Sequence, residues 1–208
     1  AVGVLTWGLI FWAIIVYRRR TGEGAPVQTR YNLPIEILYT VAPAIMIGAL
    51  FVFTAKDQAE VMKLTPDEKN TVEVVGFKWN WGFNYESDDA FETGTPNKVA
   101  ELWLPVDERT RFQLVSPDVI HSFWVPQFLF KMDVIPGRLN QFELTPNKIG
   151  VFEGKCAELC GTYHSDMLFT VHVVSREDYE KHIAELKAAG QSGKLESGRI
   201  VTTGDAGG

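Results

Sequence analysis

Positions 156–167 of the chain read Cys156-Ala157-Glu158-Leu159-Cys160-Gly161-Thr162-Tyr163-His164-Ser165-Asp166-Met167. The segment holds both cysteines of the protein, one of its four histidines and one of its four methionines. Thiolate, imidazole and thioether groups bind copper in preference to hard cations. A second histidine, His121, lies upstream and is expected to reach the same site from another loop. The segment therefore predicts a soft-metal site, held between two strands of a β domain.

Several kinds of site remain open on ligand chemistry alone. Two cysteines outside the cytoplasm can form a disulfide. A zinc ion can bind two cysteines and two histidines, although zinc sites usually use Cys-x2-Cys spacing and have no use for a methionine. A single blue-copper ion needs only one cysteine with two histidines. Two sulfurs can instead bridge two copper ions, each with one terminal imidazole, and a dinuclear copper site fits the inventory better.

The first 56 residues contain two apolar blocks and are predicted to lie in a membrane. Ala1–Tyr17 carries no charge and is followed by three arginines, while Pro34–Ala55 is long enough to cross a hydrocarbon core of about 30 Å. A signal peptide would place its positive charge before the apolar run, not after it. We predict a transmembrane hairpin over 1–56, with helices at about 1–17 and 34–55. The arginine-rich loop between them is expected on the cytoplasmic side.

The remaining residues predict one β domain and a short helix. Strand-like patterns separated by proline and glycine turns cover 71–85, 100–106, 111–115, 119–125, 140–144, 150–155 and 168–174. Six or seven short strands over 71–175 favour an all-β Greek-key sandwich or barrel. A polar connector is predicted over 57–70. An amphipathic helix is predicted over 176–190 with Ser175 as its N-cap, and a flexible tail over 191–208.

Charge is divided unequally along the chain. Residues 1–56 carry five Lys/Arg against two Asp/Glu, a net charge of +3, whereas residues 57–208 carry 15 against 24, a net charge of −9. An acidic domain argues against nucleic acid as a partner and suits a basic protein partner. His172 and His182 belong to no motif. We expect His172 to be a strand residue and His182 to be a solvated helix residue.

Three motifs together resemble subunit II of cytochrome c oxidase, a haem-copper terminal oxidase. They are Asp118-Val119-Ile120-His121-Ser122, Asp133-Val134-Ile135-Pro136-Gly137-Arg138-Leu139-Asn140-Gln141, and Cys156-x3-Cys160-x3-His164-x2-Met167. The resemblance extends over nearly the whole chain and includes the Trp79-Asn80-Trp81 stretch. It implies a cupredoxin-like β domain that follows a two-helix transmembrane hairpin. Related domains of nitrous oxide reductase lack the hairpin, and quinol-oxidase subunits lack the metal ligands.

The resemblance implies a binuclear copper centre, CuA. Its ligands would be His121, Cys156, Glu158, Cys160, His164 and Met167. The two cysteines would bridge the two copper ions, the histidines would be terminal ligands and the methionine would supply a thioether. Glu158 would bind copper through its backbone carbonyl. Its carboxylate would face subunit I and help to bind a Mg or Mn ion there.

Two further roles follow from the resemblance. Trp79 matches the tryptophan at which electrons from cytochrome c enter, its alternative being an ordinary interface or core aromatic. Glu36 resembles the glutamate at the mouth of the K proton pathway, its alternative being a carboxylate that reaches water at the membrane interface.

The implied function is electron relay within a proton-translocating oxidase. The donor would be a cytochrome c or a membrane-bound c-type cytochrome, and the acceptor would be haem in subunit I, which also holds CuB and reduces oxygen to water. Subunit III would be a further partner, and this chain would hold no complete active site of its own. It would span a bacterial plasma membrane or inner mitochondrial membrane more than once, with its soluble domain on the outer face.

Overall fold

The computed structural model describes residues 1–19, 22, 24–25, 28–66, 69–95 and 98–195. The chain divides into two compact units, Ala1–Phe53 and Thr54–Gly208. The predicted loop arginine Arg20 and residues 196–208 of the predicted tail lie outside the described residues.

Two apolar helices precede the β domain: α1 (Val2–Val16) and α2 (Leu33–Val61). Neither helix buries a residue, so a lipid environment is the natural solvent for their side chains. α2 is long and apolar enough to cross a membrane, with a mean hydropathy of 2.1 over its best window. α1 has 15 residues, which make about 22 Å of helix. α2 also runs beyond its predicted end at Ala55, so the first part of the predicted connector 57–70 is helical.

Ten strands are found in the described part of the second unit. They are β1 (Asn70–Phe77), β2 (Asn80–Tyr85), β3 (Ala90–Thr93), β4 (Ala100–Pro105), β5 (Thr110–Val115), β6 (His121–Val125), β7 (Phe130–Val134), β8 (Asn140–Leu144), β9 (Gly150–Cys156) and β10 (Leu168–Val174). The first sheet has the order β3-β2-β1-β5-β8 and the second β4-β10-β9-β6-β7. β1 runs parallel to β5 and β4 parallel to β10; the other pairs are antiparallel.

The two-sheet architecture agrees with the predicted sandwich, but the strand list differs in detail. The predicted strand 71–85 is two antiparallel strands, β1 and β2, joined by a turn at Lys78 and Trp79. β3 and β7 were not predicted. Both are short, four and five residues long, and charged side chains interrupt their apolar pattern.

The inner faces of the sheets meet in an aromatic core. Its largest fully buried aromatic side chains are Trp81, Phe83, Tyr85, Phe112, Phe123, Phe142 and Phe169. Phe123 of β6 stacks on Phe169 of β10 with ring centroids 4.9 Å apart. Strand alternation produces this core, since in β10 every second side chain is buried. Cys156, Cys160 and Met167 belong to the same buried cluster, so three of the predicted ligands are packed into the core.

The helix α3 (Arg176–Ala188) follows β10. The Ser175 hydroxyl accepts a hydrogen bond from the Asp178 backbone N–H at 3.1 Å, as predicted for an N-cap. The prediction that His182 is a solvated helix residue is wrong. Its side chain is 12 % exposed, stacks on Trp103 with ring centroids 4.1 Å apart and lies 3.1 Å from a Glu92 carboxylate oxygen. Tertiary packing of α3 against the sheets therefore buries a residue that the helix pattern alone leaves polar and exposed.

The first residues of the predicted flexible tail are held on the first sheet. The Phe91 N–H donates to the Gln191 carbonyl at 3.0 Å, and the Leu195 N–H donates to the Asn84 side-chain oxygen at 2.8 Å. Both bonds use backbone groups of the segment, which every non-proline residue carries whatever its side chain. Gln191–Leu195 is therefore ordered although its composition predicts a flexible segment.

The packing around Gly154 of β9 gives a test of the core. A Cβ atom at this position would lie 2.2 Å from ring atoms of Phe169. We expect Gly154→Ala to lower the free energy of unfolding by about 1–3 kcal/mol, because a filled core resists added volume. Denaturant unfolding of the full chain in detergent, followed by tryptophan fluorescence, measures the change. Glu153→Ala, at the neighbouring exposed position, is the control, and equal stabilities of the two variants would contradict this packing.

Candidate metal centre

Strand register brings the predicted ligands together. Cys156 ends β9, and the metal loop, defined as residues 156–167, returns to β10. β9 pairs with β6 at Phe123 opposite Cys156, which places His121, the first residue of β6, beside the loop. The Cys156 N–H donates to the Met167 carbonyl at 3.0 Å, so the two ends of the loop are joined directly. The sandwich thus fixes both ends of the ligand segment.

The side chains of the loop converge on one point. The two cysteine sulfurs lie 3.8 Å apart. The Cys156 sulfur lies 3.9 Å from His121 Nδ1, and the Cys160 sulfur lies 3.6 Å from His164 Nδ1. The Met167 sulfur lies 3.7 Å from the Cys160 sulfur. Each thiol therefore has one imidazole nitrogen beside it.

This geometry can be compared with each kind of site that ligand chemistry left open. Both cysteines are free, and a sulfur separation of 3.8 Å is well beyond a disulfide bond of about 2.05 Å. The Met167 side chain is fully buried and turned toward the thiols, and the Glu158 backbone carbonyl lies 3.2 Å from the Cys156 sulfur. Two thiols, two imidazoles, a thioether and a carbonyl exceed the four ligands of a structural zinc site. The residues present fit two copper ions.

Burial and close contact change the acidity of the thiols. Burial opposes ionisation of Cys156, but its hydrogen bond with the His121 imidazole lowers the pKa of this thiol to about 6. Burial and the neighbouring Cys156 charge raise the pKa of Cys160 to about 12. Cys156 is therefore the more acidic of the two thiols, and loss of the second proton from the pair is opposed. Metal ligation requires both thiolates, so the metal must displace this second proton.

Asp118 orients His121, although it is not among the predicted site residues. One Asp118 carboxylate oxygen lies 2.9 Å from His121 Nε2, which leaves Nδ1 directed at Cys156. The other oxygen accepts the Lys78 backbone N–H at 2.7 Å. Burial opposes ionisation of Asp118, but the hydrogen bond with His121 lowers the pKa of the carboxyl below its usual value. A carboxylate that holds a ligating imidazole fixes its tautomer and raises its basicity. The sequence feature that indicates this role is an acidic residue three positions before the histidine.

The core residue Trp81 contacts both the metal loop and His121. The Trp81 indole N–H donates to the Met167 carbonyl at 3.3 Å, and the Trp81 ring packs edge-on to His121 with ring centroids 6.2 Å apart. A Cβ at Gly76 would lie 3.2 Å from Trp81 and 3.4 Å from His121. Small size at position 76 therefore lets the imidazole pack against the sheet.

Trp79 packs directly on the metal loop. Its ring meets the Tyr163 ring edge-on with centroids 5.0 Å apart. A Cβ at Gly161, whose φ is +125°, would lie 3.0 Å from the Trp79 indole nitrogen. That nitrogen is buried and has no hydrogen-bond partner among the described residues. The indole therefore contacts the loop backbone between Cys160 and His164.

The two remaining predicted residues, Glu158 and Glu36, make local contacts. Glu158 turns its carbonyl toward Cys156, and the residue itself is exposed. Glu36 lies in the first turn of α2, in the other unit, where its carboxylate accepts the Asn32 N–H at 2.8 Å. This contact is a local helix-end hydrogen bond. Within the described residues, the one cluster of His, Cys and carboxylate groups close enough to hold a metal is His121, Cys156 and Cys160.

The contact between Asp118 and His121 yields a test. We expect Asp118→Asn to weaken copper binding by about 10- to 100-fold, because an amide cannot match the carboxylate as partner of a ligating imidazole. Competition with a copper chelator measures the affinity. Asp107→Asn is the matched control, since Asp107 is exposed and asparagine tolerates its positive φ. Unchanged affinity in Asp118→Asn would show that the carboxylate does not support the ligand.

Comparisons with known proteins agree with this site. The family model described as "Cytochrome C oxidase subunit II, periplasmic domain" matches residues 70–174. The chain is 47% identical to the "Probable cytochrome c oxidase subunit 2" of Streptomyces coelicolor, with 98% of this chain and 76% of that protein covered. It is 46% identical to the protein of the same description from Streptomyces avermitilis, with the same coverage.

A solved structure confirms the fold of the β domain. The periplasmic domain of subunit II of cytochrome oxidase (CoxB) of Bradyrhizobium japonicum superposes with a TM-score of 0.55 at 30% identity. The match covers 61% of this chain and 99% of that domain. The predicted cupredoxin-like fold is therefore confirmed, and so is the resemblance that the three motifs indicate. The chain belongs to the cytochrome c oxidase subunit II family.

Proposed function

We propose that this chain carries the CuA centre of a cytochrome c oxidase and relays electrons from a c-type cytochrome to haem in subunit I. The observation that carries this proposal is the pair of free thiols 3.8 Å apart, each beside its own imidazole. Its ligands would be His121, Cys156, Glu158, Cys160, His164 and Met167. When bound, the copper pair supplies a one-electron carrier shared between two ions.

The contribution of the protein is a rigid and dry ligand cage. Cys156 and Cys160 are each 5% exposed, and His121 and Met167 are fully buried. The Cys156–Met167 backbone hydrogen bond and the Trp81 indole contact hold the loop on the core. Such surroundings keep water out and restrain the ligands, which tunes the properties of a bound metal.

Electrons would enter at Trp79. Its indole lies against the loop backbone and is covered by Tyr163. A donor that contacts this aromatic pair would be separated from Cys160 by the indole and the backbone at Gly161. The net charge of −9 on residues 57–208 would attract a basic cytochrome, and the association rate should fall as salt is added.

The remaining roles concern groups outside the copper site. The exposed Glu158 carboxylate would help to bind a Mg or Mn ion shared with subunit I, while its carbonyl faces the thiols. Glu36 would stand at the mouth of a proton pathway that serves proton pumping. Subunit I, with haem and CuB, would hold the oxygen-reducing site, and subunit III would be a further partner.

The membrane arrangement follows from charge and hydropathy. α1 and α2 would form a hairpin in the plasma membrane of a bacterium or the inner mitochondrial membrane. The family model that matches residues 70–174 describes a periplasmic domain. We therefore place the β domain on the outer face and the arginine-rich loop on the cytoplasmic side.

Metal analysis tests the copper site. We expect two copper ions per chain and an electron-spin spectrum in which one unpaired electron is shared by two copper nuclei. Cys160→Ser should abolish this sharing, because only one of the two bridging thiolates remains. Glu153→Gln, at an exposed position of β9, is the control and should keep both ions. One copper ion without sharing in the wild-type chain would refute the proposal.

Replacement of Trp79 tests the point at which electrons enter. We expect Trp79→Leu to slow reduction of the copper centre by reduced cytochrome c by about tenfold or more, the loss typical of a central aromatic contact. Stopped-flow absorbance measures the rate. Phe128→Leu, in a half-buried aromatic that lines a different cavity, is the control. If Trp79→Leu keeps its copper spectrum and the wild-type rate, electrons enter elsewhere.

A further inference from the structure

A cavity lies at the end of the β domain that is remote from the metal loop. Its volume is about 790 Å³, which is a usual size for a ligand pocket. The β6–β7 turn at 127–129 and the β8–β9 turn at 145–148 contribute to its wall. β9 runs from this end of the domain, at Gly150, to Cys156 at the other end, a length of about 20 Å. The cavity is therefore separate from the copper site.

Two pairs of phenylalanine rings form the apolar part of the cavity wall. The ring centroids of Phe128 and Phe152 are 6.0 Å apart, and those of Phe130 and Phe142 are 4.5 Å apart. Leu129, at the tip of the β6–β7 turn, also lines the cavity and is 94% exposed. A wall of this kind favours a ligand that has apolar as well as polar parts.

The charged side chains of the cavity are mainly basic. The described part of the lining carries three basic and two acidic residues, namely Lys63, Arg109, Lys148, Glu60 and Glu143. One carboxylate is already neutralised, because Glu143 lies 2.7 Å from the guanidinium of Arg111. This excess of positive charge lies within residues 57–208, whose net charge is −9. The polar part of the lining therefore suits a phosphate group.

The segment that follows α2 is fixed as one wall of the cavity. The Thr65 N–H donates to one carboxylate oxygen of Glu143 at 3.1 Å, and the Thr65 hydroxyl donates to the other at 2.9 Å. The guanidinium of Arg111 donates to the Thr65 carbonyl and to the same carboxylate. Thr65 and Glu143 both line the cavity. The wall is therefore preformed, which lowers the ordering cost of binding a ligand.

The end of α2 lies at the level of lipid headgroups. Glu60 and Val61, the last two residues of α2, line the cavity. The 29 residues of α2 make about 43 Å of helix, which matches a bilayer with its headgroups, about 40–45 Å thick. The apolar block of α2 ends at Ala55, about 9 Å before Val61. Because Glu60 and Val61 extend beyond the hydrocarbon core, headgroups of the outer leaflet lie beside the cavity.

We propose that this cavity binds the headgroup and glycerol backbone of an anionic phospholipid from the outer leaflet. Lys63, Arg109 and Lys148 donate hydrogen bonds to the phosphate. The phenylalanine pairs and Leu129 cover the glycerol esters and the first acyl carbons, and the acyl chains continue along α2 into the bilayer. The inference adds a lipid site to the proposed function, and it rests on the membrane-spanning role of α2 and not on copper.

Titration of the full-length chain with phosphatidylglycerol in a nonionic detergent tests the proposal. Native mass spectrometry counts the bound lipids and gives their affinities. We expect Lys63→Glu/Lys148→Glu to weaken the tightest phosphatidylglycerol binding by about tenfold, because two attractive charges become repulsive. Lys63→Arg/Lys148→Arg should retain the affinity. Lys181→Glu/Lys187→Glu, which makes the same change of charge at exposed positions of α3, should also retain it.

The apolar part of the site is tested by Leu129→Gln, a change at an exposed turn, which should also weaken phosphatidylglycerol binding. Equal phosphatidylglycerol binding by the cavity variants and the α3 variant would overturn the inference. Displacement of the lipid by an equal concentration of inorganic phosphate would assign the cavity to a free anion and overturn it too.

Two further readouts keep the outcomes distinct. If Lys63→Glu/Lys148→Glu keeps its lipid but the purified oxidase loses its catalytic subunit, the cavity belongs to a protein partner and the lipid inference is wrong. Copper content and the spin spectrum are measured on the same preparations. The cavity variants should keep the wild-type copper spectrum, which shows that they are folded. A wild-type chain without a shared copper pair refutes the proposed function, whatever the lipid result.

Discussion

The site depends on one constraint, the strand register that closes the metal loop. β9 delivers Cys156, and the hydrogen bond from its N–H to the Met167 carbonyl at 3.0 Å joins the two ends of the loop. The pairing of Phe123 with Cys156 places His121 beside the same thiol. A shift of one residue would turn each of these side chains from the core to the outer face. The fold and the ligand set are therefore specified by the same backbone hydrogen bonds.

The register also gives the copper site two different sides. Over the first sheet, Trp79 packs on the loop backbone at Gly161, within an acidic domain. Over the second sheet, cross-strand pairing sets one lysine on each side of Trp124. Four of the predicted ligands, His121, Cys156, Cys160 and Met167, are buried between these surfaces.

Much of this organisation is visible in the linear chain, and its gaps have physical causes. The apolar helices, most strands and the ligand segment have local signals, namely hydropathy, period-two alternation and soft-ligand chemistry. β3 and β7 were missed because short strands with interspersed charges do not show clear alternation. His182 is largely covered by Trp103 and Glu92, and Gln191–Leu195 is held on the first sheet by hydrogen bonds to Phe91 and Asn84. Those contacts join residues that are far apart in the chain.

Ligand types and their spacing can be read from the sequence alone. Cys160 follows Cys156 by four positions, which confines both thiols to one loop. Ligand chemistry assigns His121 to the same set, and the family resemblance implies the same. The sequence leaves open which imidazole accompanies which thiol, that Asp118 holds His121, and that Lys131 and Lys155 flank Trp124. Each of these is a neighbour relation across strands, set by register and by the packing of two sheets. Local pattern carries the period of a strand but not its alignment with the next one, so these relations exist only in the folded domain.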